Sequence, residues 1–206
     1  MKLILVRHGQ TEWNQLRKLQ GQKDSPLTAR GRLQADLTGK ALLGCSISHF
    51  YCSDAGRALE TAERIRKVNP SLPVVRQDAC LRELNYGNWE GMFLKEIEEA
   101  YPELYKAHKN EPASFQAPGG ETFGDLQDRF LAFLAGVSRI DNENCLVVTH
   151  GGLIRVALLA LTMKGLSELN NSPPIREASI SALQWTDGNW ILLEYNNAKH
   201  LDGFPM

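Results

Sequence analysis

Short apolar runs that end in polar, glycine-bearing turns alternate along the chain with longer stretches of helical spacing. Lys2-Leu3-Ile4-Leu5-Val6 is rich in branched residues and too short for a helix, which predicts a strand buried on both faces. Cys145-Leu146-Val147-Val148-Thr149 has the same character, and His49–Ser53 and Pro73-Val74-Val75 predict two more strands. Thr28 is a candidate N-cap for a helix reaching about Leu43, and Ser53 for one through Arg57, Leu59, Ala62 and Ile65. Residues 94–110 predict a helix broken near Pro102. Phe123, Leu126, Phe130, Phe133 and Leu134 share one face of a helix over about 122–138, and a further helix covers about 152–163. Residues 17–27 and 79–93 read as irregular, and 179–185 with 189–195 as a hairpin around Asp187-Gly188. Strands separated by helices predict an α/β fold in one domain, 1–206, with a mostly parallel sheet, helices on both faces and at least one antiparallel strand.

Composition narrows the function classes. The 206 residues suffice for one sizeable core, and 43% hydrophobic with 23% charged residues is ordinary for a globular protein. A formal net charge of −1 offers no global field for nucleic acid or an anionic membrane, so any anion affinity must be local. No run is long enough to span a membrane, and the opening apolar run is too brief for a signal peptide. Cys45, Cys52, Cys80 and Cys145 are scattered and form no CxxC pair, which suits reduced thiols and a cytoplasmic location.

The candidate chemistry lies where strands end. Arg7-His8-Gly9 follows the first strand and His150-Gly151-Gly152 follows the strand at 145–149. Parallel neighbours would bring both histidines to the carboxyl edge of the sheet, where open α/β sheets bind ligands. Arg supplies a fixed cationic fork, His a nucleophile or a proton carrier near neutral pH, and Gly9 room for a ligand to approach the backbone. With Arg57 and Glu83, the set suits a tetrahedral dianion: two Arg and two His to hold it, helix N-termini to add positive dipole ends, and a carboxyl to give a proton to a departing alkoxide. In isolation, Arg57 would equally suit a helix surface, Glu83 an ion pair with Arg82, and Asn14 an ordinary polar position.

Five ordered blocks together resemble the histidine phosphatase superfamily, the phosphoglycerate mutase-like family. They are Arg7-His8-Gly9-Gln10-Thr11-Glu12-Trp13-Asn14; Ser25-Pro26-Leu27-Thr28 with Gly31; Ser53-Asp54-Ala55-Gly56-Arg57-Ala58 with Glu60-Thr61-Ala62; Leu81-Arg82-Glu83 with Gly87 and Glu90-Gly91; and Val148-Thr149-His150-Gly151-Gly152. Gly119-Gly120-Glu121-Thr122 stands where the family usually has Gly-Gly-Glu-Ser. The resemblance implies a three-layer α/β/α sandwich. It implies His8 as the phosphorylated nucleophile, Arg7, Arg57 and His150 as phosphoryl-binding groups, and Glu83 as proton donor. It places Asn14, Gln20, Gly21 and Gly151 along the phosphate and substrate pocket. It implies no metal and no cofactor, in keeping with the absence of HExxH or Cys/His ligand spacing.

The expected activity is a metal-independent phosphatase acting on small phosphorylated metabolites through phosphohistidine, with no nucleic-acid or membrane partner. The alternatives are a 2,3-bisphosphoglycerate-dependent phosphoglycerate mutase, or a phosphatase specific for α-ribazole 5′-phosphate. The segment between Glu83 and the PGGE turn is short and carries Glu96, Glu98, Glu99 and Glu103, which predicts few cations for a second phosphate or carboxylate and so favours the phosphatase. Trp13, Tyr86, Trp89 and Tyr105 are candidates for stacking on a ring or for core aromatics. The strand at 189–195, if exposed, could pair with a second copy in a homodimer.

Overall fold

The computed structural model describes residues 1–137 and 143–203. Among them, β1 (Lys2–Arg7), β2 (His49–Cys52), β3 (Val75–Gln77), β4 (Cys145–Thr149), β5 (Ile180–Thr186) and β6 (Asn189–Asn197) form one sheet in the order β3-β2-β4-β1-β5-β6. The strands β3, β2, β4 and β1 run parallel, and β5 is antiparallel to both of its neighbours. β1 is central because Leu3, Ile4, Leu5 and Val6 are all apolar and none tolerates an open face; each is at most 5% exposed.

Successive residues of β1 point to opposite faces. Leu3 and Leu5 join Cys145 and Val147 under α6 (Phe123–Val137) and α7 (Gly151–Leu161). Ile4 and Val6 join Phe50, Cys52, Leu146 and Val148 under α3 (Gly56–Val68), against which α2 (Ala29–Ala41) packs. The molecule is thus a three-layer α/β/α sandwich, as the sequence implied. In α7, seven of eleven residues are buried, so the helix is held by packing; each buried Leu or Ile contributes about 1.5–3 kcal/mol relative to exposure.

Several local expectations are corrected. Residues 12–16, not expected as helix, form α1 (Glu12–Leu16), capped by Thr11; five residues are too few to show a helical period. β3 begins at Val75 rather than Pro73, since it is Val75 that lies opposite Phe50 on β2 and proline has no N–H for a ladder. Pro102 does divide 94–110, into α4 (Leu94–Ala100) and α5 (Pro102–Asn110). The expected end of the helix at about 138 lies outside the described residues. Gly9 makes room for protein, not ligand: a Cβ there would run into the Gly31 carbonyl at the start of α2.

Candidate active site

The parallel pairing of β1 with β4 sets Arg7 opposite Thr149. The next residues, His8 and His150, therefore emerge side by side at the carboxyl edge, with ring centroids 5.3 Å apart and planes at 64°. β2 sets Cys52 opposite Val148, so Ser53 arrives at the same edge. Ser53 was expected to cap the next helix. Instead α3 starts at Gly56 without a side-chain cap, and Ser53 Oγ lies 2.8 Å from His150 Nε2. The two intervening residues, Asp54 and Ala55, carry the chain past capping range.

Arg57, on the first turn of α3, joins these groups. Its five N–H donors all have partners: Nε to His8 Nε2 at 3.3 Å, Nη1 to the Lys23 carbonyl at 2.8 Å and Asp24 Oδ1 at 2.9 Å, and Nη2 to the Gly21 carbonyl at 2.7 Å and His150 Nδ1 at 3.1 Å. A guanidinium only donates, so both ring nitrogens it touches must be acceptors. His8 then carries its proton on Nδ1, 2.8 Å from the Gly9 carbonyl, and holds a lone pair on Nε2. His150 carries its proton on Nε2 and donates to Ser53. Burial holds both imidazoles well below the usual pKa; the Arg57 charge adds to this at both, followed by Arg7 at His8 and by His8 at His150. Both are therefore neutral near pH 7.

Arg7 is anchored by Nη1 to the Ile175 carbonyl at 2.5 Å and lies 3.5 Å from Glu177, while its buried Nε has no partner among the described residues. Arg82 pairs with Asp54 at 2.5 Å, not with the adjacent Glu83. The Glu83 carboxylate sits on the N-terminus of α7, accepting from Gly152 N at 2.9 Å and Leu153 N at 3.2 Å, and also from Leu84 N at 2.9 Å. Position 152 must lack a side chain for this, because a Cβ would collide with the Glu83 carboxylate.

Two open cavities meet at this edge. One, of about 270 Å³, is lined by Arg7, His8, Asn14, Gln20, Gly21, Arg57 and Glu83, with Arg17, Lys18 and Tyr86 among the remaining walls. The other, of about 420 Å³, shares Arg7, Glu83 and Tyr86, takes in Gly151 and Gly152, and runs on to His108, Lys109 and Arg155. Of the nine residues singled out from the sequence, eight line one cavity or both. His150 lines neither; it is fully buried behind Arg57, whereas His8 is 3% exposed at the cavity floor. Asn14 completes the capping box of α1, with Oδ1 accepting from Thr11 N at 3.1 Å. Gln20 Oε1 accepts from Ser25 Oγ at 3.3 Å. Gly21 acts through the carbonyl that holds Arg57.

Sequence reasoning missed Ser53 and Asp24 as parts of this edge. Ser53 was legible from its position one residue beyond a strand that pairs with β4; Asp24 lies 33 positions before its partner and left no local signal. The expectation of few cations is also overturned: Arg17, Lys18, Lys109 and Arg155 line the cavities, and Glu96, Glu98, Glu99 and Glu103 do not. Arg17, Lys18 and Arg155 come from outside residues 84–118, and within them Lys109 reaches a cavity while Glu96 is turned back onto the Phe93 N–H at 2.8 Å, so counting charge along that segment misjudged the site. Of the four aromatics, Tyr86 lines both cavities, while Trp89, 1% exposed, belongs to the core. Among the described residues, no group of three or more His, Cys, Asp or Glu is placed to hold a metal, and no helix is long and apolar enough to cross a membrane.

A neutral histidine at the parallel edge of an α/β/α sheet, between two arginines and facing a carboxylate on a helix N-terminus, defines a centre for handling tetrahedral anions. Residues 3–198 match the model of the histidine phosphatase superfamily, branch 1, and the chain belongs to that family. It is 34% identical over 209 residues to the probable phosphoglycerate mutase GpmB of Salmonella choleraesuis (strain SC-B67), covering 98% of this chain and 95% of that one. It is 36% identical over 204 residues to the uncharacterized phosphatase PhoE of Bacillus subtilis (strain 168), covering 98% and 97%. Among solved structures, the mycobacterial glucosyl-3-phosphoglycerate phosphatase in complex with VO3 superposes with a TM-score of 0.89 at 29% identity, covering 96% of this chain and 99% of that one. Relatives of the chain thus carry both phosphatase and mutase names.

Proposed function

We propose that this protein is a metal-independent phosphatase that hydrolyses small phosphomonoesters through a phosphohistidine at His8. The carrying observation is the pinned tautomer: with Nδ1–H held by the Gly9 carbonyl, the lone pair of His8 Nε2 is the nucleophile at the cavity floor. Substrate displaces the longest of the five Arg57 contacts, Nε to His8 at 3.3 Å, and the freed N–H turns to a phosphoryl oxygen. The unpartnered Arg7 Nε supplies a second donor. Nε2 attacks phosphorus, an N–P bond forms and the P–O ester bond breaks, while the proton carried by the bound phosphate monoester passes through the Glu83 carboxylate to the leaving alkoxide. In the second half, water attacks the phosphoryl group, Glu83 takes the water's proton and hands it to the departing phosphate, and the N–P bond breaks to return neutral His8 and inorganic phosphate. His150 supports this from behind by fixing Arg57.

The test is phosphate release from p-nitrophenyl phosphate, sugar phosphates, phosphoglycerates and α-ribazole 5′-phosphate in EDTA, beside His8→Ala. The variant should lose about 10⁴-fold or more of kcat. Turnover near the wild-type level in the variant would refute the phosphohistidine route, and loss of wild-type turnover in EDTA would refute metal independence. The cations lining the cavities favour examining one second reading, phosphoryl return to another hydroxyl of the substrate. Interconversion of 2- and 3-phosphoglycerate with 2,3-bisphosphoglycerate present, faster than phosphate release, would replace the phosphatase by a mutase.

A further inference from the structure

Resting on that phosphatase reading, we propose that the larger cavity is a subsite for a second anionic group of the substrate, a carboxylate or a phosphate, bound by Arg155 and Lys109. The cavity is continuous with the phosphoryl centre through Arg7, Glu83 and Tyr86, which line both. Arg155 lies four residues after Gly151 on α7, about 6 Å along the helix axis. A ligand with its phosphate at His8 and a second anion a few bonds away would extend from the shared wall into this cavity.

Arg155 is incompletely partnered. Nη2 donates to the Leu169 carbonyl, but its Nε is buried and has no partner among the described residues. An orphaned buried guanidinium N–H is costly unless a ligand satisfies it. Neither Arg155 nor Lys109 forms an ion pair with a described residue. Lys109 rests over the Tyr105 ring, 4.2 Å from its centroid, and Glu83, the one acid lining the cavity, is occupied by backbone N–H groups. His108 stands between them with a second orphaned buried atom, Nδ1. The walls are fixed: Asn170 Nδ2 donates to the Asn110 carbonyl, tying the end of α5 to the segment 170–175. Three polar side chains thus line one cavity with two hydrogen-bonding atoms unmet among the described residues and no carboxylate paired with Arg155 or Lys109 there.

The experiment compares kcat/KM for matched pairs: 3-phosphoglycerate against glycerol 3-phosphate for a carboxylate, and fructose 1,6-bisphosphate against fructose 6-phosphate for a phosphate. The wild type should prefer the doubly anionic member of at least one pair about tenfold or more, and which pair identifies the anion. In Arg155→Met this preference should collapse toward one, through KM. Lys109→Met, an exposed position, should shrink it in the same direction, which keeps the test sound if Arg155→Met does not fold. No preference in the wild type, or a preference untouched in both variants, overturns the subsite. Loss of turnover in His8→Ala with no Arg155 effect sinks the subsite alone; persistent turnover in His8→Ala sinks the phosphatase reading beneath it.

Discussion

At the strand ends, every donor of Arg57 is spent on protein and both histidines have their protons assigned; one helical turn along α7, Arg155 keeps a buried N–H and His108 a ring nitrogen with no partner among the described residues. The first region is built by adjacent strand ends and one helix start, the second by the meeting of α5, α7 and the segment 170–175. The contrast separates two tasks. A reacting centre gains from having its groups largely fixed before substrate arrives, because little reorganisation is then needed in the transition state. A recognition site gains from leaving hydrogen bonds for the ligand to complete, since an analogue lacking the group then leaves them unmet.

The comparison can be broken most sharply at Arg57. Arg57→Met should lower kcat about 10²- to 10³-fold for every ester tested, since it removes both a phosphoryl donor and the link between the histidines. A loss confined to doubly anionic substrates would mean that the two regions had been assigned the wrong way round. Ser53→Ala tests whether the strand-end hydrogen bonds are closed, because it leaves the His150 Nε2–H buried without its acceptor. It should cost about 1–3 kcal/mol in stability by urea unfolding, with a smaller fall in kcat than Arg57→Met. An unchanged midpoint would show that His150 finds another partner.

A further effect concerns pH. Burial, then the Arg155 and Lys109 charges, push the His108 pKa down to about 4, and burial also depresses His8 and His150. Free imidazoles protonate near pH ~6.5. The unfolded chain therefore binds more protons than the folded one as pH falls below that value, and stability is lost toward acid. Each such histidine contributes a slope of up to about 1.4 kcal/mol per pH unit. His108→Phe should remove one such increment between about pH 6.5 and 4. If unfolding midpoints of His108→Phe and wild type fell in parallel over that range, His108 would not be the neutral group the cavity holds.

The two regions were unequally legible in the sequence. β1 and β4 announce themselves as unbroken apolar runs, and each delivers its histidine one residue past an end, so register alone brings His8 and His150 together. Glu83 gives no such local sign; the ordered blocks identified it, and its place on α7 depends on Gly152, 69 positions away. The second cavity could not be read at all. Lys109 and Arg155 lie on separate helices far apart in the sequence, and only the folding of α5 against 170–175 brings them to one cavity. Ser53 was misread because a strand–Ser–helix pattern fits a cap equally well, and only pairing with β4 reveals that its hydroxyl serves His150.

The position of β1 at the middle of the sheet also orders events during assembly. The strand that presents His8 pairs on one side with residues 145–149 and on the other with residues 180–186, so both of its ladders close loops of more than about a hundred residues. Until the second of those partners has been synthesised, the strand has an open flank and His8 lacks the neighbours that fix it. A chain ending before β5 would therefore carry His8 without the paired strand that holds it in place.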